Sequence, residues 1–121
     1  MQKKRVLVVE DEDKVRDILR RHLEPDYEVL VAQDGQEGVS QARAHRPHLI
    51  LLDLRMPRMD GLSMLRVLKI AEETVGIPVV VLSAIGESGS LLDAQMLGAC
   101  DYLIKPVDMA EMRDTVQRYI A

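Results

Sequence analysis

The chain has no tryptophan and no phenylalanine, and three tyrosines are all it holds of the large aromatics. Its core must therefore be filled by Leu, Val, Ile and Met. A single cysteine, Cys100, excludes an internal disulfide and reads as a small packed residue. The three histidines, His22, His45 and His48, lack metal-ligand spacing and read as surface or helix-end residues. No long apolar run follows the charged start Met1-Gln2-Lys3-Lys4-Arg5, so no signal peptide or membrane span is visible and the expected location is cytoplasmic. Basic excess is lacking too. The net charge of −4 speaks against direct contact with nucleic acid. Repeats, low-complexity tracts and linker-like stretches are missing, and residues 1–121 are expected to form a single domain with no attached output module.

What is present suits an ordinary globular domain. Apolar residues make up 47% of the 121, enough for a core without staples. Val6-Leu7-Val8-Val9 is a β-branched run of strand length, followed by Val15, Ile18, Leu19 and Leu23 at helical spacing up to Pro25. Glu28 to Ala32 reads as a second strand. Asp34 with Glu37 three residues on opens a helix that Pro47 ends. His48 to Asp53 is a third strand, and Gly61 precedes a helix with Leu62, Leu65 and Leu68 on one face. Val79 to Leu82 is a fourth strand.

After it, Gly86, Ser88, Gly89 and Ser90 predict a weak helix start, and Leu91 to Leu97 carry the helix on to Gly98 as C-cap. Tyr102-Leu103-Ile104 is a short fifth strand, and Asp108 opens a last helix with Met109, Met112, Val116 and Ile120 as its apolar face. Continuously apolar strands alternating with helices predict an α/β fold. Its sheet is parallel, five-stranded and doubly wound, with helices covering both faces.

In such sheets ligands bind beyond the carboxyl ends of the strands. Those ends carry Glu10 and Asp11 after strand one, Asp53 after strand three, Ser83 after strand four and Lys105-Pro106 after strand five. Three carboxylates at one edge repel, and call for a cation or a raised pKa. Oxygen-only ligands suit Mg2+, with Mn2+ as the alternative. A divalent cation, an ammonium and a hydroxyl around a carboxylate make a place for a phosphoryl group, with the central Asp53 as nucleophile.

Val8-Val9-Glu10-Asp11-Glu12, Leu52 to Gly61, Val81-Leu82-Ser83-Ala84 and Tyr102-Leu103-Ile104-Lys105-Pro106 occur in order along the whole chain. As a set they resemble the receiver domain of bacterial two-component response regulators, of the chemotaxis-regulator type. The resemblance implies a flavodoxin-like strand order of 2-1-3-4-5. It implies Asp53 as phospho-acceptor and Asp11 as main acidic magnesium ligand, with Glu10 beside it and the backbone carbonyl of Arg55 as a third protein ligand. Ser83 and Lys105 would meet the phosphoryl group, the latter through a Lys-Pro peptide that is usually cis in the family. Tyr102 would turn inward as Ser83 moves, altering the face made by strands four and five and the last two helices. Arg55 and Ile85 occupy the positions that tune phosphoryl lifetime, and their bulk is expected to hinder the attacking water.

The partners so implied are a sensor histidine kinase or a histidine phosphotransfer protein, and a downstream output partner or domain. A phosphorylation-dependent homodimer is a further arrangement it allows. The chain would then catalyse only its own phosphorylation and dephosphorylation.

Competing readings exist for each part. Asp53 alone could be a loop anchor, the Glu10 to Asp13 run a solvated cap, Ser83 a strand-end hydroxyl, and Tyr102 plain strand packing. An aspartate-nucleophile phosphatase of the haloacid-dehalogenase kind would want a second Asp where Arg55 stands. An interaction module that keeps only the fold would not need Glu10, Asp11, Asp53, Ser83 and Lys105 together. A receiver domain belonging to a longer DNA-binding regulator is the remaining alternative.

Overall fold

The computed structural model describes residues 2–56, 59–84 and 88–120, with residues 88 and 89 described by their backbone alone. Strands and helices alternate in chain order: β1 (Arg5–Val9), α1 (Asp13–Leu23), β2 (Glu28–Ala32), α2 (Gly35–His45), β3 (Leu49–Asp53), α3 (Gly61–Ile70), β4 (Val79–Ala84), α4 (Ser88–Met96), β5 (Asp101–Lys105) and α5 (Met109–Ile120). The strands form one parallel sheet in the order β2-β1-β3-β4-β5. This is the doubly wound α/β architecture expected from the continuously apolar strands.

Alternate side chains of β1, β3 and β4 feed two separate cores. On one face Leu7, Val9, Ile50, Leu52, Val79 and Val81 pack under α2, α3 and α4. On the other, Val6, Val8, Leu49, Leu51, Val80 and Leu82 pack under α1 and α5. The central strand β3 is buried along its whole length, from Leu49 to Asp53. Burying an aliphatic side chain of this size contributes about 1.5–3 kcal/mol, so these strands dominate the favourable side of folding.

Helix starts follow local chemistry. Asp34 accepts the Glu37 backbone N–H at 2.9 Å, Asp60 that of Ser63 at 2.8 Å, and Asp108 that of Glu111 at 3.0 Å. Each carboxylate satisfies a donor that the first turn leaves open. Gly98, at φ +108°, turns the chain after α4. No described helix is long and apolar enough to cross a membrane.

Helix α4 takes in the Ser88-Gly89-Ser90 start ahead of its apolar residues. Weak helix formers cost little in a first turn, whose N–H groups need no intrahelical partner. Ile18 is 46% exposed, and Cys100 is exposed where packing was expected. Ile18 borders a groove that no element fills, and Cys100 lies just before an edge strand. Gly86 and Ile85 lie outside the described residues, and with them the proposed hindrance by Ile85.

Candidate functional site

Register brings the candidate residues together. Val9 lies opposite Leu52, so the next step along β1 and β3 sets Glu10 beside Asp53. Asp53 is itself paired with Leu82 on β4, and Lys105 closes β5 opposite Ala84. Glu10, Asp53 and Lys105 all sit on the carboxyl edge of the sheet, and Lys105 reaches over β4 to β3.

The result is a compact cluster of charge. Lys105 Nζ lies 3.0 Å from Asp53 Oδ2 and 3.0 Å from Glu10 Oε1. Glu10 is fully buried and Asp53 nearly so. Asp11, by contrast, is exposed, yet ligand oxygens of Glu10, Asp11 and Asp53 all lie within 4.8 Å of one another. Above them is a cavity of about 280 Å³ lined by Asp11, Glu12, Asp53, Arg55, Ala84 and Lys105. The Arg55 backbone N–H donates to Asp53 Oδ1 at 3.1 Å, and the Glu12 N–H to Glu10 Oε2 at 3.2 Å.

Burial raises the pKa of Glu10 to about 7, helped by its contact with the Asp53 carboxylate. Burial pulls the Lys105 ammonium down, but its bonds to Glu10 and Asp53 outweigh this and hold its pKa above the usual lysine value. The cluster therefore sets one fixed cation against acidic groups, two of which, Glu10 and Asp53, are shielded from solvent. Glu10 Oε1 is buried without a well-aligned hydrogen bond, with the Lys105 ammonium 3.0 Å away. A compact all-oxygen donor set with one such oxygen suits a small hard divalent cation accompanied by water.

Other expected residues are placed as follows. Ser83 is buried at 1% exposure one position beyond Leu82, and Ala84 lines the cavity in its place. Its hydroxyl donates to the Ala84 carbonyl at a long 3.4 Å. Tyr102 is 44% exposed on β5. The Lys105–Pro106 peptide is cis.

The sequence reading passed over Arg16. Its Nη1 donates to the Glu10 carbonyl at 2.8 Å, and its Nη2 pairs with Asp13. An arginine one turn into the helix behind an acidic loop was the available signal. Beside the cluster, Val15, Ile18, Pro106, Val107 and Met109 line an apolar groove of about 510 Å³.

The family model for the response regulator receiver domain matches residues 6–117. Sporulation initiation phosphotransferase F of Bacillus subtilis is 31% identical over 121 residues, covering 99% of this chain and 96% of that protein. The KDP operon transcriptional regulatory protein KdpE of Escherichia coli is 40% identical over 109 residues, covering 89% of this chain and 47% of that protein. The chain thus spans nearly all of the first relative and about half the length of the second. The crystal structure of chemotaxis protein CheY4 of Vibrio cholerae superposes with a TM-score of 0.90 at 26% identity, covering 97% of this chain and 98% of that one. With its sheet order, its carboxyl-edge cluster and a family match over most of its length, the chain belongs to the response regulator receiver domains.

Proposed function

We propose that this receiver domain is a signalling switch in which Asp53 accepts a phosphoryl group from a phosphohistidine, donated by a sensor histidine kinase or a histidine phosphotransfer protein. The observation that carries this reading is the bridge from Lys105 Nζ to Asp53 and Glu10, 3.0 Å to each, beside a cavity that Asp11 also lines. In the transfer an Asp53 carboxylate oxygen forms the new O–P bond while the N–P bond breaks, its electron pair returning to the imidazole. Lys105 pairs with a phosphoryl oxygen and offsets its charge. Glu10, Asp11, Asp53 and the Arg55 carbonyl would hold Mg2+, or Mn2+, which when bound offsets negative charge on the phosphoryl oxygens. The apolar groove of Val15, Ile18, Pro106, Val107 and Met109, which Lys105 also lines, offers the donor a landing surface.

Phosphorylation adds about 1.5 to 2 negative charges to a site that is already anionic. Ser83 then comes forward to the phosphoryl group, and Tyr102 turns from its exposed position into the space left behind. The β4-α4-β5-α5 face changes with it, for a downstream partner, an output domain or a second copy to read. Arg55, exposed beside the cavity, slows attack by water and lengthens the phosphoryl lifetime. Residues 1–121 act in this as one phospho-acceptor unit in the cytoplasm, with no turnover of an external substrate. The absence of a second acid at Arg55 favours this over phosphatase chemistry.

Incubation with acetyl phosphate and magnesium, followed by intact-mass measurement, tests the reading. Wild type should gain a phosphoryl mass and Asp53→Asn should not. An equal adduct on both would overturn the assignment of Asp53.

A further inference from the structure

We propose that Arg16 is a positioning residue for the acidic half of this site: its guanidinium clamps the β1–α1 loop so that Glu10 and Asp11 are presented together. The inference rests on the reading of the cluster as a magnesium-dependent phosphoryl acceptor. Arg16 Nη1 donates to the carbonyl of Glu10 at 2.8 Å and approaches that of Asp11 at 3.5 Å. Nη2 pairs with the Asp13 carboxylate. One rigid fork thus meets the backbone of both acids and the first residue of the helix that follows them. On its other side the loop is held by the Glu10 N–H, which donates to the Ala32 carbonyl at 3.0 Å, and by the Glu12 N–H on Glu10 Oε2.

The plainer reading is a surface ion pair between residues three apart on a helix. Burial argues against it. The Arg16 side chain is 18% exposed while its partner Asp13 is 86% exposed. A side chain serving only that pair would follow Asp13 outward; this one turns inward to the carbonyl of a fully buried residue. Lysine cannot reproduce the arrangement, because a single ammonium lacks the planar fork that reaches carbonyl and carboxylate at once.

Charge and position make opposite demands here, which renders the idea testable. A cation beside a metal site repels the metal, so removing it should tighten binding if charge were its only effect. If Arg16 instead holds the ligands in place, its removal loosens binding. Groups that orient ligands without touching the metal typically matter by roughly 10–100-fold in affinity. Arg20, one turn further along α1, serves as control. It carries the same charge and, among the described residues, pairs with Asp17 and Glu24 on the helix surface.

The experiment is a calorimetric Mg2+ titration of the full chain at fixed ionic strength, comparing wild type, Arg16→Ala, Arg16→Lys, Arg20→Ala and Asp11→Asn. Metal-free melting curves accompany it. Arg16→Ala should weaken the dissociation constant roughly tenfold. Arg16→Lys should weaken it by a smaller factor, and Arg20→Ala should leave it unchanged or slightly tighter. In acetyl phosphate labelling, the magnesium concentration for half-maximal rate should rise by the same factor in Arg16→Ala, while the rate at saturating metal stays near wild type. Wild-type or tighter binding by both Arg16 variants would overturn the proposal. If Arg16→Ala does not melt cooperatively, Arg16→Lys decides alone, since it keeps the charge and loses the fork. A different result marks failure of the underlying reading: wild type binding no magnesium, or Asp11→Asn binding it as wild type does.

Discussion

Glu10 shows how a single residue can be set against itself. Its carboxyl is buried beside Asp53, and burial first, then that neighbour, raise its pKa from 4.5 to about 7. The folded protein therefore holds the Glu10 proton more tightly than the unfolded chain does. The stabilisation tied to that proton is complete below the unfolded value of 4.5 and is lost as pH rises through about 7. Lys105 does not change within this window, because its raised pKa keeps it charged. Metal-free protein should accordingly melt at a lower temperature at about pH 7.5 than at about pH 5.5, and Glu10→Gln should flatten much of that slope. Equal slopes in the two proteins would show that Glu10 does not set it. The acidic pair, Asp53, Ser83 and Lys105 were legible as candidate site residues from their places at strand ends, and so was the need for a cation or a raised pKa among the acids. That the raised group is Glu10, and that Arg16 turns inward, were not legible, since both depend on what surrounds the side chain.

Among the elements, the start of α3 passes close against the end of β3. A Cβ on Gly61 would lie 2.5 Å from the Leu54 Cα and 2.6 Å from the Asp53 carbonyl oxygen, both backbone atoms. That close approach lets the Gly61 N–H donate to the Leu54 carbonyl at 3.1 Å and returns the chain to the sheet directly after Asp53. Gly61→Ala should cost about 1–3 kcal/mol, as overpacking does. Gly76, in the loop before β4, has nothing within 4 Å of its Cβ position. Gly76→Ala should be neutral or stabilise by up to about 1 kcal/mol through the unfolded chain. Urea denaturation of the two variants should therefore move the midpoint in different directions, and a matched loss in both would refute the steric account. Gly61 was legible as punctuation before a helix, but not as a place where two stretches of backbone touch. Helix α4 was placed by its apolar residues, and its weak formers fall in the first turn, where propensity counts for little.

For the whole molecule, the two cores on either side of the sheet set stability while its carboxyl edge sets chemistry. Leu49, fully buried at the opposite end of β3 from Asp53, belongs to the first role. Leu49→Ala should cost about 2–5 kcal/mol, depending on how far the cavity collapses. Labelling of Asp53 by acetyl phosphate should nevertheless stay near wild type at temperatures where the variant is folded. A labelling loss without a stability loss would contradict this division. Continuous aliphatic runs broken by Pro, Gly and capping acids determined the ten elements and their parallel pairing, because period and punctuation are local properties. They also placed a carboxylate, a hydroxyl or a lysine at the right strand ends. Distances and burial came only from the folded sheet: Lys105 across β4 from Asp53, Glu10 sealed away from water, Asp11 left outside, Ser83 beneath the cavity wall. Those depend on register between strands far apart in the chain and on the dielectric their packing creates, and no stretch of sequence contains either.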